Sequence, residues 1–138
     1  MGTWDATPFG NDNAADFAFE FDDAHTIAQI ASVLEAALDT VLDEPGEIEA
    51  PDGEIAIAAA ALVVAWEFPD AADAGYAQSL DPWPRVARPL PEHLSLKAAE
   101  VLDRMQEAEE NELVELWRET ESYSEFVAEL TSLRSYFP

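Results

Sequence analysis

Two histidines stand beside carboxylates and have the residue types that metal or acid–base chemistry requires. His25 follows Asp22 and Asp23, and His93 follows Glu92. Imidazole with carboxylate suits zinc, iron or manganese. The sequence contains neither a His-x-x-x-His pair nor a Glu-x-x-His motif, and a chain this rich in acids places a carboxylate near most histidines by chance. We therefore predict no metal site and interpret both histidines as surface or helix-capping residues.

Other catalytic signatures are missing from the sequence. With thirty acidic residues, some pair of carboxylates falls at any separation, so paired acids do not indicate glycoside chemistry. The chain has no cysteine, which excludes a thiolate zinc site, a cysteine nucleophile and a disulfide framework. Serine nucleophile elbows and Gly-rich phosphate loops do not occur either. The sequence predicts a protein that is not an enzyme and needs no cofactor.

Charge is divided unevenly along the chain. Residues 1–84 contain eighteen acidic residues and no Lys or Arg, whereas residues 85–138 contain twelve acidic residues and all six bases, for a net charge of −24. The excess carboxylates must be solvated, bound to cations or complementary to a basic partner. Phosphate backbones and anionic membranes are bound through Lys and Arg, so we expect neither direct nucleic-acid binding nor membrane binding.

The densest acidic segment surrounds one predicted turn, with six carboxylates at Asp43, Glu44, Glu47, Glu49, Asp52 and Glu54. Their spacing is too irregular for an EF-hand calcium loop. Such a segment can attract a basic partner protein, for example a toxin or a nucleic-acid enzyme. We predict a partner-binding surface at Glu44, Glu47, Glu49 and Asp52; the alternative is a solvated acidic ridge.

A second candidate for partner contact is Trp83, which lies between Pro82 and Pro84. An exposed tryptophan at this position could anchor a partner. In the alternative interpretation Trp83 covers the core, while Arg85 and Arg88 reach acidic residues of the first half. We expect Trp66 and Trp117, which lie on helical apolar stripes, to be core residues.

Apolar residues recur every three or four positions and predict helices along nearly the whole chain. The first has Asn11, Asp12 or Asn13 as candidate caps, and Asp52 could cap the third. Four consecutive alanines, residues 58–61, should let neighbouring helices approach the third closely and place it at the centre. The predicted helices span residues 14–21, 26–43 and 52 to about 66, and then begin at Ser95, after Asn111, and at Ser122 or Ser124.

The segment from Phe68 to Glu92 has four prolines within ten residues and cannot be helical throughout. A loop of this length is either functional or packed over the core. Strand-type alternation is nearly absent. The sequence predicts a single all-α domain over residues 1–138, with five or six short helices and a long Pro-rich loop. With no signal-peptide pattern and no apolar run near 18 residues, we expect a cytoplasmic protein.

The N-terminal block reads Met1-Gly2-Thr3-Trp4, then Phe9-Gly10-Asn11-Asp12 and Ala14-Ala15-Asp16-Phe17. It resembles the start of an uncharacterised bacterial family, the domain of unknown function 4259 (DUF4259). The Ala-rich stretch after Ala50-Pro51-Asp52 and the later Glu112–Trp117 run also resemble that family. The resemblance implies a small stand-alone bacterial protein without an assigned activity, and it brings no catalytic residues with it.

The same block has a physical interpretation of its own. Trp4 and Phe9 precede a helix start, where apolar residues often pack on the first turn, and Asn11 or Asp12 can accept hydrogen bonds from free amides. Phe17 belongs to the apolar stripe of that helix. In the alternative interpretation, Trp4, Asn11, Asp12 and Asp16 line a ligand site.

These observations favour a small acidic protein-binding module, similar to an immunity protein or antitoxin or to a DNA-mimicking inhibitor. The main alternative is that the acidity is only a solubility or salt adaptation of a structural or oligomeric helical protein, since the chain has one lysine and five arginines. A metal-assisted enzyme is a third alternative. The oligomeric state is left open by the sequence.

Overall fold

Helices account for most of the described part of the chain in the computed structural model, which describes residues 8, 10–68, 88–107 and 109–138. No strand occurs among these residues, and Ile48 and Asn111 form an isolated parallel β-bridge. The predicted all-α fold is confirmed. The elements are α1 (Asp12–Ala18), a 3₁₀ helix (Phe19–Phe21), α2 (Ile27–Leu42), α3 (Ala50–Glu67), α4 (Glu92–Arg104), α5 (Glu112–Arg118) and α6 (Tyr123–Arg134).

Helix α3 lies at the centre of the domain. Residues 58–65 have no exposed surface, and Trp66 is also buried. Helices α1, α2, α4, α5 and α6 all contact α3. Close approach is visible at Gly53, where an added Cβ would lie 2.7 Å from Met105 Cε and 3.1 Å from Leu113 Cδ2. The small residues of α3 thus permit tight helix packing, as predicted.

The start of α3 differs from the prediction. The helix begins at Ala50, and its N-cap residue Glu49 makes no capping bond with its side chain. Instead, the Ala50 amide donates to Glu112 Oε1 at 2.7 Å. Pro51 fits in the first turn because its missing N–H needs no helical partner there. Asp52 therefore lies inside the first turn and is not the cap, so that prediction was wrong.

Helix α2 agrees with its prediction to within a residue at each end. Its N-terminus carries a capping box, in which the Gln29 amide donates to Thr26 Oγ1 at 3.1 Å and the Thr26 amide donates to Gln29 Oε1 at 3.1 Å. The predicted apolar stripe is buried at Ile30, Leu34, Leu38 and Val41. This stripe packs α2 against α3 and α4.

The first predicted helix is divided into two elements. Asn11 is the N-cap, and its Oδ1 accepts from the Ala14 amide at 2.7 Å. Helix α1 ends at Ala18, and the chain continues as the 3₁₀ helix through Phe21. Phe17 and Phe21 are both buried and meet edge-on, with ring centroids 5.4 Å apart. This aromatic pair joins the two elements.

The C-terminal helices differ from the prediction in detail. Helix α4 begins at Glu92 rather than Ser95, with Pro91 as its N-cap. Leu116, in α5, is 42% exposed. Trp117 is half-buried and stacks on Phe126, with centroids 5.3 Å apart. Ser122 is the N-cap of α6 but its side chain makes no capping bond.

Most of the Pro-rich segment lies outside the described residues, including Trp83 and Arg85. Its two ends adjoin, because Trp66 Nε1 donates to the Arg88 carbonyl at 2.7 Å and the Leu90 amide donates to Glu67 Oε1 at 3.0 Å. The Arg88 side chain is exposed and forms no ion pair with an acidic residue that the structure describes. None of the described helices is long and apolar enough to cross a bilayer.

Candidate partner-binding surface

The bridge between Ile48 and Asn111 brings two acidic segments side by side. The Ile48 amide donates to the Glu110 carbonyl at 2.8 Å, and the Glu112 amide donates to the Ile48 carbonyl at 2.9 Å. One segment leads from α2 into α3, and the other leads from α4 into α5. We call the combined surface the acidic face; it consists of Glu44, Glu47, Glu49, Asp52, Glu107, Glu109, Glu110 and Glu112.

Most carboxylates of the acidic face are exposed to solvent. Asp52 and Glu112 are half-buried, and the other six residues are exposed. Among the described residues, no base forms an ion pair with Glu44, Glu47, Glu49 or Asp52. Their negative charge is therefore not neutralised by a described residue, and it is available to a partner.

Arg104 borders the acidic face but uses its donors mainly on the backbone. One guanidinium nitrogen, Nη2, donates to the carbonyls of Glu109 at 2.9 Å and Glu110 at 3.2 Å. The other, Nη1, lies 3.7 Å from the Glu107 carboxylate. Arg104 thus stabilises the turn that carries the second acidic segment and places one positive charge beside it.

Asn111 anchors the second acidic segment in the core. The residue is fully buried. Its Oδ1 accepts from the Val114 amide at 3.2 Å and so caps α5, while its Nδ2 donates to the Glu107 carbonyl at 3.1 Å. A buried amide with these bonds holds the preceding loop in one conformation. The exposed carboxylates are consequently presented on a fixed backbone.

The partner-binding role of Glu44, Glu47, Glu49 and Asp52 stays a prediction. The structure places these residues beside the four glutamates of residues 107–112, which sequence reasoning missed as their neighbours. Their acidic run is visible in the sequence, but only the β-bridge shows which segment it joins. Glu54, the last acid of the predicted segment, is buried and accepts from Asn13 Nδ2 at 2.9 Å, so it links α3 to the first turn of α1.

A second charged cluster joins α2 to α4. Lys97 Nζ lies 2.7 Å from Asp39 Oδ1 and 2.9 Å from Glu35 Oε2, and His93 Nε2 lies 2.9 Å from the same Glu35 oxygen. The hydrogen bond from Lys97 lowers the pKa of Glu35, against the effect of partial burial. Asp39 and then Glu35 raise the pKa of Lys97 above its ordinary value. Two acidic residues of the first half, Glu35 and Asp39, are therefore paired with a base from the second half.

The two histidines lie in different surroundings. His25 is exposed, and its backbone amide donates to Gln29 Oε1 at 2.9 Å. His93 contacts Glu35 of α2, and the same carboxylate is paired with Lys97. Within the described ranges, no group of three or more His, Asp or Glu residues could hold a metal ion.

The N-terminal motif contributes to structure where it is described. Asn11 is buried and caps α1, and Phe17 is buried against Phe21. Asp12 and Asp16 are exposed on α1. Trp4 and Phe9 lie outside the described residues, so the alternative ligand site that includes Trp4 stays a prediction.

Fold and surface together define a small all-α domain with an exposed acidic face. A family model, Domain of unknown function (DUF4259), matches residues 2–129. The chain belongs to this family, which confirms the resemblance seen at the N-terminus. Searches of curated proteins and of solved structures find no match.

Proposed function

We propose that this protein is a binding module that docks a basic partner protein on its acidic face, in the manner of an immunity protein, an antitoxin or a DNA-mimicking inhibitor. The observation that supports it is the joining of two acidic segments by the Ile48–Asn111 bridge. As a result, two acidic segments that are far apart in sequence, and that together contain eight acidic residues, lie next to each other. The target class is a protein whose own site binds phosphates.

Charge complementarity explains how such a surface would work. A site that holds nucleic-acid phosphates is basic, because its contacts are made by Lys and Arg. Carboxylates on a rigid backbone can occupy it in place of phosphates, and long-range attraction speeds the encounter. Because Asn111 and the bridge already fix the loops, little conformational entropy is lost on binding. The molecule would inhibit by occupancy and needs no chemistry of its own.

The test compares the original protein with two double variants that have the same net charge as each other. The variant Glu47→Lys/Glu49→Lys reverses two exposed positions of the acidic face, and Glu119→Lys/Glu121→Lys makes the same change in net charge at exposed positions elsewhere. Each is immobilised and exposed to lysate of the native host at about 0.05 M and about 0.5 M salt, since screening weakens exposed charge pairs over that range. Captured proteins are identified by mass spectrometry.

We expect the original protein and the 119/121 variant to retain a stoichiometric basic protein that high salt releases, and the 47/49 variant to lose it. With the purified partner, the 47/49 change should slow association by about tenfold, because electrostatic steering acts on the rate of encounter. Equal capture by all three proteins, or capture that salt does not affect, would contradict the proposal.

A further inference from the structure

A surface groove lies at the other end of α2 from the acidic face. It has a volume of about 420 Å³ and is formed by the first half of α2 and the chain just before it. Ala24, Ala28 and Val33 contribute apolar surface, and Glu20 and Asp23 contribute carboxylates. Ala28 precedes the end of α2 by fourteen residues, which at 1.5 Å per residue separates groove and face by about 20 Å. The two surfaces are distinct.

Local hydrogen bonds hold the groove open in one shape. Gln29 Oε1, on the groove, accepts from the amides of His25 and Thr26 at 2.9 and 3.1 Å. The Ala24 amide donates to the carbonyl of the fully buried Phe21 at 3.0 Å. The Phe21 bond ties the chain before α2 to the core, and the Gln29 bonds fix the first turn of α2 to the residues that precede it. A shallow site with a fixed backbone loses little conformational entropy when it is filled.

Size and charge indicate what the groove can hold. Its volume is near the lower end of the range of about 300–1,000 Å³ for ligand sites, enough for one or two side chains. Glu20 and Asp23 are exposed and have no ion-pair partner among the described residues. The 3₁₀ helix and α2 contain no Lys or Arg, and His25 is the nearby titratable base in the sequence. Phe19, just before Glu20, is 68% exposed and extends the apolar surface of this region.

We propose that this groove binds a short segment of a partner protein in which an aliphatic side chain is flanked by lysine or arginine. The aliphatic side chain contacts Ala24, Ala28 and Val33, and the flanking cations pair with Glu20 and Asp23. A second copy of this chain is a poor occupant, because two molecules of net charge −24 repel each other. The inference does not rest on the acidic face.

The experiment titrates the ¹⁵N-labelled protein with two short synthetic peptides and follows amide shifts by NMR. One peptide carries leucines flanked by lysines, and the matched peptide has serine in place of each leucine. We expect saturable shifts confined to residues 20–33 with the leucine peptide. The serine peptide should bind at least about tenfold more weakly, because burial of a leucine side chain contributes at least that factor.

Paired variants locate the binding. Ala28→Phe fills the groove, and Ala36→Phe adds the same side chain at another exposed position of α2. Ala28→Phe should weaken binding of the leucine peptide by about tenfold or more, and Ala36→Phe should leave the affinity unchanged. Glu20→Lys/Asp23→Lys should also weaken binding, whereas Glu119→Lys/Glu121→Lys should not. Circular dichroism checks that each variant keeps its helical content.

Three results would overturn the inference. Equal affinity for the two peptides would mean that charge alone accounts for the binding. Shifts confined to residues 44–52 and 107–112 would assign the peptide to the acidic face. Shifts of residues 20–33 that depend on protein concentration without peptide would make a second copy the occupant.

The variant Glu47→Lys/Glu49→Lys separates the two proposals, since it should leave the groove shifts unchanged.

Discussion

Glu110 is a single residue whose backbone conformation supports the acidic face. Its φ of 50° lies in the left-handed region, which a residue other than glycine adopts at a cost of about 1 kcal/mol. The same residue's carbonyl accepts the Ile48 amide, so the bridge depends on its position. The strain is local and stored where two acidic segments meet.

We expect Glu110→Gly to raise the free energy of unfolding by about 0.5 kcal/mol, because glycine adopts this conformation without the Cβ clash but loses more entropy on folding. Urea unfolding at neutral pH measures the change. Glu109→Gly is the control, since Glu109 is exposed and does not have a positive φ. It should destabilise the protein slightly; a similar gain at both positions would mean that charge rather than backbone strain is responsible.

Lys97 links two acidic residues of the first half, Glu35 and Asp39, to the second half of the chain. We expect Lys97→Gln to lower the free energy of unfolding by about 1 kcal/mol at pH 7, the upper range for a partly exposed pair, because both carboxylates lose their ion pair with Lys97. Arg118→Gln removes an exposed base without a described ion pair and corrects for the change in net charge. Equal losses of stability in Lys97→Gln and Arg118→Gln would show that the ion pairs of Lys97 contribute nothing beyond the change in net charge.

The ion pairs of Lys97 with Glu35 and Asp39 give the stability a defined pH dependence. Lys97 lowers the pKa of Glu35 below its ordinary value of 4.5, so the contribution of Glu35 is complete above that pH and is lost as pH falls through the lowered pKa. The two acids raise the pKa of Lys97 above 10.5, so its contribution is complete below that pH and is lost as pH rises through the raised pKa. The stability difference between the original protein and Lys97→Gln should therefore be constant from about pH 5 to 10 and shrink outside this window. Thermal unfolding across pH tests it; a difference that already changes within this window would contradict the assignment to Lys97 and Glu35.

At the scale of the helix, Glu112 has two roles, since it belongs to the acidic face and caps α3. We expect Glu112→Ala to destabilise the domain by about 1 kcal/mol, the usual cost of a lost N-cap, because the Ala50 amide loses its acceptor. Glu115→Ala is a matched change on the exposed side of α5. Hydrogen exchange should show faster opening of the first turn of α3 in the Glu112 variant alone. Unchanged exchange there would contradict a capping role.

How far the sequence predicted these elements depends on where their determinants lie. The bounds of α2 follow from Thr26, Gln29 and an apolar stripe, all within the helix or next to it, and they were predicted almost to the residue. The first turn of α3 depends on Glu112, which lies 62 positions away, and it was missed. Leu116 fits a helical stripe, but it is exposed, because none of the described elements covers it. Periodicity predicts which residues can be buried, while tertiary contacts decide which are.

The candidate surface was predicted in part for the same reason. The acidic segment before α3 is obvious in the sequence, but its neighbour is chosen by two backbone hydrogen bonds of Ile48. Nothing in the residue types of that bridge distinguishes it from an ordinary linker. The groove on α2 was not predicted either. Ala28 and Val33 belong to a helix with an ordinary apolar stripe, and only the fold shows the groove beside them.

At the scale of the whole molecule, the net charge of −24 sets how stability responds to salt. Repulsion between exposed carboxylates destabilises the compact state, and salt screens it. If the acidity serves partner binding, the melting temperature should rise with KCl and level off by about 0.2 M, where the Debye length is below about 8 Å. A continued rise over molar KCl would favour salt adaptation instead.

The charge variants make this salt response specific. Glu47→Lys/Glu49→Lys removes repulsion within the acidic face, and Glu119→Lys/Glu121→Lys removes an equal charge elsewhere. If the bridge concentrates charge on the acidic face, the first variant should gain more thermal stability at about 0.02 M salt than the second, and the two should converge above about 0.2 M. Equal gains at low salt would mean that the face is no more crowded than the rest of the surface. In that case the bridge would join two acidic segments without concentrating their charge, and the physical basis for a basic partner at this site would be lost.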